Sequence, residues 1–174
     1  MTSPDNARPL LVGPDTLQFP FPVQLRGEVI KGFGRGSREL GIPTANFPTQ
    51  VVTDSCSPDR LRNGIYFGWA QVRPQNHKEL ESPGTVHPMV MSLGWNPYYK
   101  NIHRSAEVHL IHEFAQDFYG DQLRVLVAGY IRDEKDYAGV DALIADIKLD
   151  IKAALHSLQR DSYLALKHDA IFVS

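Results

Sequence analysis

The 174-residue sequence contains a single cysteine, Cys56, so no disulfide can form within the chain. It lacks the apolar run of about 20 residues that a membrane-spanning helix needs. Residues 1–6 lack the basic stretch and apolar core of a signal peptide. The formal net charge is −2, so no basic field attracts nucleic acid or an anionic membrane. These absences predict a soluble, cytoplasmic protein without either partner, and they leave mitochondrial association open.

The common phosphate-binding motifs are missing as well. The sequence has no Gly-Lys-Ser or Gly-Lys-Thr, and the glycines at 32, 34 and 36 do not fit G-x-G-x-x-G. What is present is an ordinary globular composition, 43% hydrophobic and 22% charged, at a length that suits one domain. Five prolines within residues 1–22 predict an extended arm, because proline disfavours both helix and strand. We therefore expect an N-terminal arm over 1–22 and one domain over 23–174.

Several short segments have the composition and alternation of β-strands. A strand such as 64–72 is rich in aromatic and β-branched residues on both faces, and 106–114 alternates with Val108 and Leu110 on one face and Glu107 and His109 on the other. Glycine- and proline-containing loops separate these segments. The predicted strands are 24–30, 64–72, 88–95, 106–114 and 123–131.

One long helix follows the last strand. Apolar residues recur at helical spacing from Val140 to Leu158, with Asp141, Asp146 and Asp150 on the other side. Many short strands followed by one late helix indicate a mainly β protein, a closed antiparallel barrel whose open side the helix covers. Residues 170–173 are expected to form a short strand or an anchor.

A loop with four glycines, residues 31–41, continues into Ile42-Pro43-Thr44-Ala45-Asn46-Phe47. Glycines let backbone N–H groups converge on an anion, and Arg35 and Arg38 add positive charge. Thr44 and Asn46 offer neutral oxygen ligands of the kind that suit Mg²⁺ held also by substrate phosphates. The alternative from spacing alone is a glycine-rich hairpin loop followed by a turn.

Glu107 is a candidate general base, because a carboxylate at a barrel mouth can accept a proton from a hydroxyl nucleophile. The alternative is a solvated glutamate on a strand face. His109 and His112 suggest zinc, but an i, i+3 pair on a strand points to opposite faces, which disfavours a shared ion. Residues 129–137 mix aromatic rings with cations, as in a loop that holds a flat heterocycle or in a charged connector.

Taken together, these segments resemble the riboflavin kinase family, in its monofunctional eukaryotic form. The resemblance spans about residues 23–158 in order, and the Pro-Thr-Ala-Asn block is its most specific single element. No His-x-Gly-His motif appears, so FAD synthesis is not expected. The matching segments are 32–46, 64–68, 93–101, 107–114, 117–120 and 129–135.

The resemblance implies a six-stranded Greek-key barrel with the long helix packed beside it. It also implies transfer of the γ-phosphate of ATP to the ribityl 5′-hydroxyl of riboflavin, giving FMN, by a monomer. The divalent ion is expected to be Mg²⁺, with Zn²⁺ or Mn²⁺ as alternatives. The implied roles are Glu107 as catalytic base; Thr44 and Asn46 as ligands of the metal and of ATP; Gly32, Arg38, Leu110, His112 and Tyr119 at the ATP site; and Arg132, Lys135 and Tyr137 at the flavin.

Three other functions remain open on the residues alone. A flavin-holding barrel without catalysis shares the 130–137 segment but has no use for Thr44, Asn46 and Glu107 together. A kinase for another small alcohol shares the phosphate half of the site. A single-strand nucleic-acid barrel would stack bases on Tyr66, Phe67 and Trp69, and the net charge disfavours it.

Overall fold

The computed structural model describes residues 8–31, 41–75, 84–95, 100, 102–114 and 117–173. Its strands are β1 (Val23–Glu28), β2 (Ala45–Asn46), β3 (Gly64–Arg73), β4 (Val86–Trp95), β5 (Arg104–Leu110) and β6 (Gln122–Arg132). Its helices are α1 (Thr49–Ser55), α2 (Val140–Ser157) and α3 (Asp161–Leu164), followed by 3₁₀ turns at Ala165–His168 and Ala170–Phe172.

The six strands form one antiparallel sheet in the order β1-β6-β3-β4-β5-β2. Strands β3, β4 and β5 are consecutive neighbours and β6 returns beside β3, which is the Greek-key arrangement. The two edges of the sheet meet where the Ile30 N–H donates to the Asn46 carbonyl at 3.0 Å. The sheet therefore curls onto itself, and the expected six-stranded Greek-key barrel with a C-terminal helix is confirmed.

Strand β3 is buried on both faces, as its composition predicted. Tyr66 and Ala70 point into the barrel, where they join a large apolar interior. Phe67 and Trp69 point outward into a second apolar cluster formed with the C-terminal elements. Because successive side chains alternate between faces, this central strand is packed between the barrel interior and an outer cover.

Helix α2 packs on the outer surface of β3, β4 and β6 rather than over an open side of the barrel. Two residues of the expected apolar stripe, Val140 and Leu155, are 54% and 37% exposed. Asp150, expected on the solvent side, is 1% exposed and ion-paired. The helix approaches the sheet through small side chains, and its N-terminal half is held by charges instead of apolar contacts. Its buried residues are Asp150, Ala153, Ala154 and Ser157.

Helix α1 was not predicted. Its β-branched residues Val51, Val52 and Thr53 have low helix propensity, yet Val52 is buried against the interior. Tertiary packing thus overrides local preference here. Cys56, which follows α1, is fully buried. Burial raises the pKa of its thiol to about 11, so the thiol is protonated and inert near neutral pH.

The C-terminal residues anchor the outer cover. Ile171 and Phe172 are buried, and side chains of the sheet bind their carbonyl oxygens. Arg124 Nη1 donates to Ile171 O at 2.9 Å, and Arg73 Nη2 donates to Phe172 O at 2.6 Å. Of the two expectations for 170–173, the anchor is confirmed, in the form of a 3₁₀ turn. In the described ranges no helix has the length and apolar character to cross a membrane.

A stack of rings closes the barrel end at which β4 begins. His87 lies against His112 with centroids 4.2 Å apart and planes at 25°, and Phe114 meets His112 edge-on at 4.7 Å. Phe118 packs against Phe114 in turn. Burial, and then the charges of His112 and Lys167, lower the pKa of His87 from 6.5 to about 4.

Replacing Phe172 tests the anchor. Phe172→Ala is expected to lower the free energy of unfolding by about 3 kcal/mol, because it removes a buried ring and leaves a cavity. Urea denaturation gives the value, and Val173→Ala, at a position that is 75% exposed, is the matched control. Equal effects of the two changes would show that the C-terminal turn is not packed on the sheet.

The His87 stack predicts acid sensitivity. Between pH 6.5 and about 4 the unfolded chain binds a proton at His87 and the folded chain does not, so stability falls as the pH is lowered through this window. His87→Phe keeps a stacking ring and removes the titration, so its stability is expected to fall less over the same window. Urea midpoints measured across it, with the exposed His156→Gln as control, test this. Parallel pH profiles for parent and His87→Phe contradict it.

Candidate active site

A single row of ladder partners crosses five strands and joins residues from distant parts of the sequence. Asn46 of β2 lies opposite Glu107 of β5, which lies opposite Ser92 of β4. Ser92 pairs with Ile65 of β3, and Ile65 pairs with Arg132 at the end of β6. We call Asn46, Glu107, Ser92, Ile65 and Arg132 the site row. Since neighbouring strands lie about 4.8 Å apart, Glu107 lies next to Asn46 and roughly 14 Å along the sheet from Arg132.

The row lies on the outward face of the barrel. Ala106 and Val108, the neighbours of Glu107 in β5, belong to the interior cluster, and so do the neighbours of Ser92. Glu107 is half-buried on the opposite face, so the predicted alternation of β5 is confirmed. Its carboxylate therefore does not point into the barrel, and any substrate that it contacts lies against the outer wall.

The Pro-Thr-Ala-Asn segment is fastened to this wall. The Pro43 carbonyl oxygen lies 2.8 Å from His109 Nδ1, and because a carbonyl can only accept, Nδ1 carries the proton. Asn46 is 4% exposed, and its side-chain oxygen Oδ1 has no hydrogen-bond donor among the described residues. Leaving such an atom unpaired costs about 1–3 kcal/mol. An oxygen of this kind suits a hard divalent cation, so Asn46 fits the expected metal site.

At the other end of the row, Arg132 is held by the two carboxylates of α2. Its guanidinium donates to Asp150 at 2.9 Å through Nε and at 2.8 Å through Nη2, a bidentate pair. Tyr137 donates its hydroxyl to Asp146, and Lys135 Nζ lies 3.8 Å from the same carboxylate. The three side chains expected to contact a flavin thus share one acidic support.

The charges of this cluster reinforce one another. Burial acts to raise the pKa of Asp146, but the Tyr137 hydrogen bond and the charges of Arg132 and Arg8 outweigh it, so that pKa is lowered. Burial acts to lower the pKa of Arg132, and the hydrogen bond and charge of Asp150 raise it overall. For Tyr137, burial and the hydrogen bond to Asp146 raise the pKa to about 12. The carboxylate, the guanidinium and the phenol thus all keep their ordinary protonation states at neutral pH.

The Glu134 side chain lies against β4 at Gly94, so the 132–137 segment extends over this strand. A Cβ at Gly94 would lie 2.1 Å from Glu134 Oε1, so only glycine lets this carboxylate rest on the strand. Gly94 pairs with Ser105 of β5, two residues from Glu107. Burial raises the pKa of Glu134, although the charge of Arg132 opposes this. The segment therefore reaches from Arg132 toward the base candidate.

The expected ATP-site residues lie toward the opposite end of β5. Leu110 ends the strand with its side chain in the interior cluster, and His112 stands in the stack with His87. Tyr119 is 36% exposed in a turn where the Gly120 N–H donates to Val29 O at 2.9 Å, beside the Ile30 bridge to β2. These residues and the 132–137 segment therefore flank Glu107 from opposite ends of the strand.

Of the site row, Asn46, Glu107 and Arg132 were predicted from the sequence. Ser92 and Ile65 were missed, because only strand register makes them neighbours of Glu107 and Arg132. Asp146 and Asp150 were assigned to solvent, and the available signal was their i, i+4 spacing, which puts both on one helix face. Gly32 and Arg38 lie outside the described residues. In the part of the chain that is described, no three His, Cys, Asp or Glu side chains converge as a metal site.

Comparison with known proteins gives a consistent result. The riboflavin kinase family model matches residues 19–158. The chain is 48% identical to a riboflavin kinase of Pyricularia oryzae, over 96% of this chain and 88% of that protein. It is 47% identical to the Homo sapiens riboflavin kinase, over 87% of this chain and 90% of that protein.

A solved structure agrees at the level of the fold. The crystal structure of riboflavin kinase from Trypanosoma brucei superposes with a TM-score of 0.66 at 24% identity, covering 88% of both chains. The family model covers most of the chain, and relatives far above 30% identity extend over nearly all of it. The chain belongs to the riboflavin kinase family.

Proposed function

We propose that the riboflavin kinase reaction of this chain, ATP-dependent phosphorylation of riboflavin to FMN, takes place along the site row with Glu107 as the general base. The observation that carries the proposal is the register that sets Glu107 directly opposite Asn46. This register supports the proposal because it sets a carboxylate beside Asn46, on the wall that Arg132 also reaches.

In this proposal the phosphate half is made by Thr44 and Asn46, with Gly32 and Arg38 on the loop before them. Asn46, whose Oδ1 is unpaired, and the hydroxyl of Thr44 would hold a divalent ion. Bound there, Mg²⁺ would neutralise charge on the phosphate oxygens of ATP. The preceding glycines and Arg38 would take up further equatorial charge through backbone N–H groups and a guanidinium.

Glu107 performs the proton transfer. The ribityl 5′-hydroxyl approaches from the flavin side of the row, and Glu107 orients it and accepts its proton. The oxygen then bonds to the γ-phosphorus of ATP, while the bond from that phosphorus to the β–γ bridging oxygen breaks and ADP leaves. Because phosphoryl transfer depends mainly on positioning and charge stabilisation, the fixed ladder position of Glu107 matters as much as its basicity. A half-buried site on a strand holds the carboxylate more firmly than a loop would.

The flavin half consists of Arg132, Lys135 and Tyr137. Tyr137 supplies an aromatic face, and the Arg132 guanidinium carbon lies 5.9 Å from its ring centroid. Both are locked by Asp146 and Asp150 before any ligand arrives. A preformed arrangement of this kind lowers the ordering cost of binding.

The nucleotide end is assigned to Leu110, His112 and Tyr119. A second observation supports this side. In the described residues the buried side-chain atoms without a hydrogen-bond partner are Asn46 Oδ1, His87 Nε2 and His112 Nε2. Of these, His112 Nε2 belongs to the proposed nucleotide end, where a polar ligand would satisfy it. The finer expectations of Mg²⁺ over Zn²⁺ or Mn²⁺, of a monomer and of a cytoplasmic location stay predictions.

Glu107→Gln tests the base. The change is expected to lower kcat by about 10²–10⁴-fold, the usual contribution of a general base. Riboflavin affinity should be nearly unchanged, because the amide keeps the size of the side chain. The assay is FMN formation from riboflavin, ATP and Mg²⁺ read by chromatography, with the exposed Glu113→Gln as control. A Glu107→Gln enzyme with near-parental kcat removes Glu107 from this role.

Asn46→Leu tests the metal ligand through two opposed effects. Removing a buried unpaired oxygen is expected to raise the free energy of unfolding of the metal-free protein by about 1 kcal/mol, while the Mg²⁺ concentration for half-maximal activity rises. Asn63 provides the contrast, because its Oδ1 accepts from Arg104 Nη1 at 3.0 Å, so Asn63→Leu should lower stability. Loss of stability in Asn46→Leu, with an unchanged Mg²⁺ requirement, would count against the assignment.

A further inference from the structure

Residues 8–16 cross the outer surface of α2 and α3 and are fastened there by hydrogen bonds. The Val12 N–H donates to Ser157 Oγ at 3.0 Å, and Arg160 donates to the carbonyl oxygens of Val12 and Gly13 at 2.5 and 2.8 Å. The Tyr163 hydroxyl donates to Pro14 O at 2.6 Å. The backbone of this segment is therefore fixed against the helices, and its first described residue, Arg8, has a defined position.

Arg8 binds the same two carboxylates that support the flavin half. Its Nη1 lies 2.5 Å from Asp146 Oδ1, and its Nη2 lies 2.5 Å from Asp150 Oδ1. Arg132 occupies both oxygens of Asp150 from the other side, and Tyr137 donates to Asp146 Oδ2. The Arg8 guanidinium thus bridges two carboxylates whose other side-chain partners belong to the 132–137 segment.

The charge balance shows why a second arginine is needed. The side chains of Asp146 and Asp150 are 13% and 2% exposed, on successive turns of α2. Two like charges so close and so little solvated repel each other unless each is paired. Arg132 satisfies Asp150 directly but lies 3.5 Å from Asp146 Oδ2. Arg8 supplies the missing charge and donates to both.

We propose that Arg8 is a positioning residue for riboflavin. Because Arg8 holds Asp146 Oδ1 and Asp150 Oδ1, the half-exposed Lys135 ammonium, 3.8 Å from Asp146 Oδ2, is not required to neutralise these two oxygens and stays available to riboflavin. Arg8 also keeps the acceptors of Arg132 and Tyr137 in place. The inference rests on the proposed flavin role of these three residues and adds a segment far away in sequence to that half of the site.

Without Arg8, the nearest remaining cations must neutralise the free carboxylate oxygens. Arg132 and Lys135, which lie 3.5 and 3.8 Å from Asp146 Oδ2, are the cations placed to do so. Either movement takes a ligand-facing cation toward α2, so riboflavin binding weakens. The phosphate half lies at the opposite end of the site row, and no described contact joins it to Arg8, so ATP binding should not respond.

The test is Arg8→Gln in the full chain. We expect the KM for riboflavin, and its Kd from the quenching of riboflavin fluorescence, to rise roughly 3- to 10-fold, the size of coupling usual for residues in one ion-pair network. The KM for ATP and kcat should stay within about twofold, a split that general loss of structure does not produce. Unchanged riboflavin constants, or an equal rise in both KM values, overturn the proposal.

Two further variants keep the result interpretable. Arg160→Gln loosens the same segment without touching either carboxylate, and a matching rise in riboflavin KM there would overturn the specific role of Arg8. Arg8→Lys keeps one charge but not the fork that reaches both carboxylates, so an intermediate KM is expected. Should Arg8→Gln fail to fold, Arg8→Lys alone decides, and a parental riboflavin KM overturns the proposal.

Arg132→Ala separates this inference from the function on which it rests. If Arg132→Ala weakens riboflavin binding and Arg8→Gln does not, only the role of Arg8 fails. If Arg132→Ala leaves riboflavin binding unchanged, the assignment of the flavin half fails, and the inference fails with it.

Discussion

The structure depends on one constraint, the register in which β2, β5, β4, β3 and β6 pair. A slip of one residue at any ladder turns every following side chain to the other face, and Asn46, Glu107 and Arg132 would no longer share a surface. Register is secured on the inside, where Val108, Met91 and Leu93 have no exposed area. The apolar interior thus fixes the geometry of polar groups on the outside, although it contains none of them.

The outward face of the barrel is divided between cover and site. Over β3 and β6 it is packed by α2, α3 and the C-terminal turns, with Phe67 and Leu126 at the centre. Over β5 and β2 the described residues leave half-buried polar side chains instead. Arg132 stands at the boundary, because its strand ends where α2 begins to cover the sheet. The carboxylates that bind Arg132 therefore come from helix α2, whereas the other residues of the site row come from the strands of the barrel.

Much of the fold could be predicted from the sequence, because alternation in β3, β5 and β6 is strong and the switch to helical spacing is sharp. Strand β2 has two residues and no pattern of its own, and the β-branched α1 forms only through packing. For the site, the faces of Glu107 and His109 followed from alternation. Local sequence patterns do not reveal strand register or helix placement. They therefore could not predict which residues neighbour Glu107, that Glu134 packs on Gly94, or that Asp150 is buried.

The two halves of the proposed site, the flavin half and the phosphate half, differ in how the protein prepares them for ligands. The flavin half satisfies itself: Arg132, Tyr137, Asp146 and Asp150 are paired with one another, and Arg8 completes the balance. The phosphate half leaves Asn46 Oδ1 buried and unpaired, a cost that a cation relieves. A planar, neutral ligand gains most from a rigid surface that needs no rearrangement. A charged ligand that binds with a metal ion gains most binding free energy where the protein leaves a polar atom without a hydrogen-bond partner. The fold is therefore rigid on one side of Glu107 and leaves an unsatisfied polar atom on the other, and Glu107, the proposed base, lies between the two.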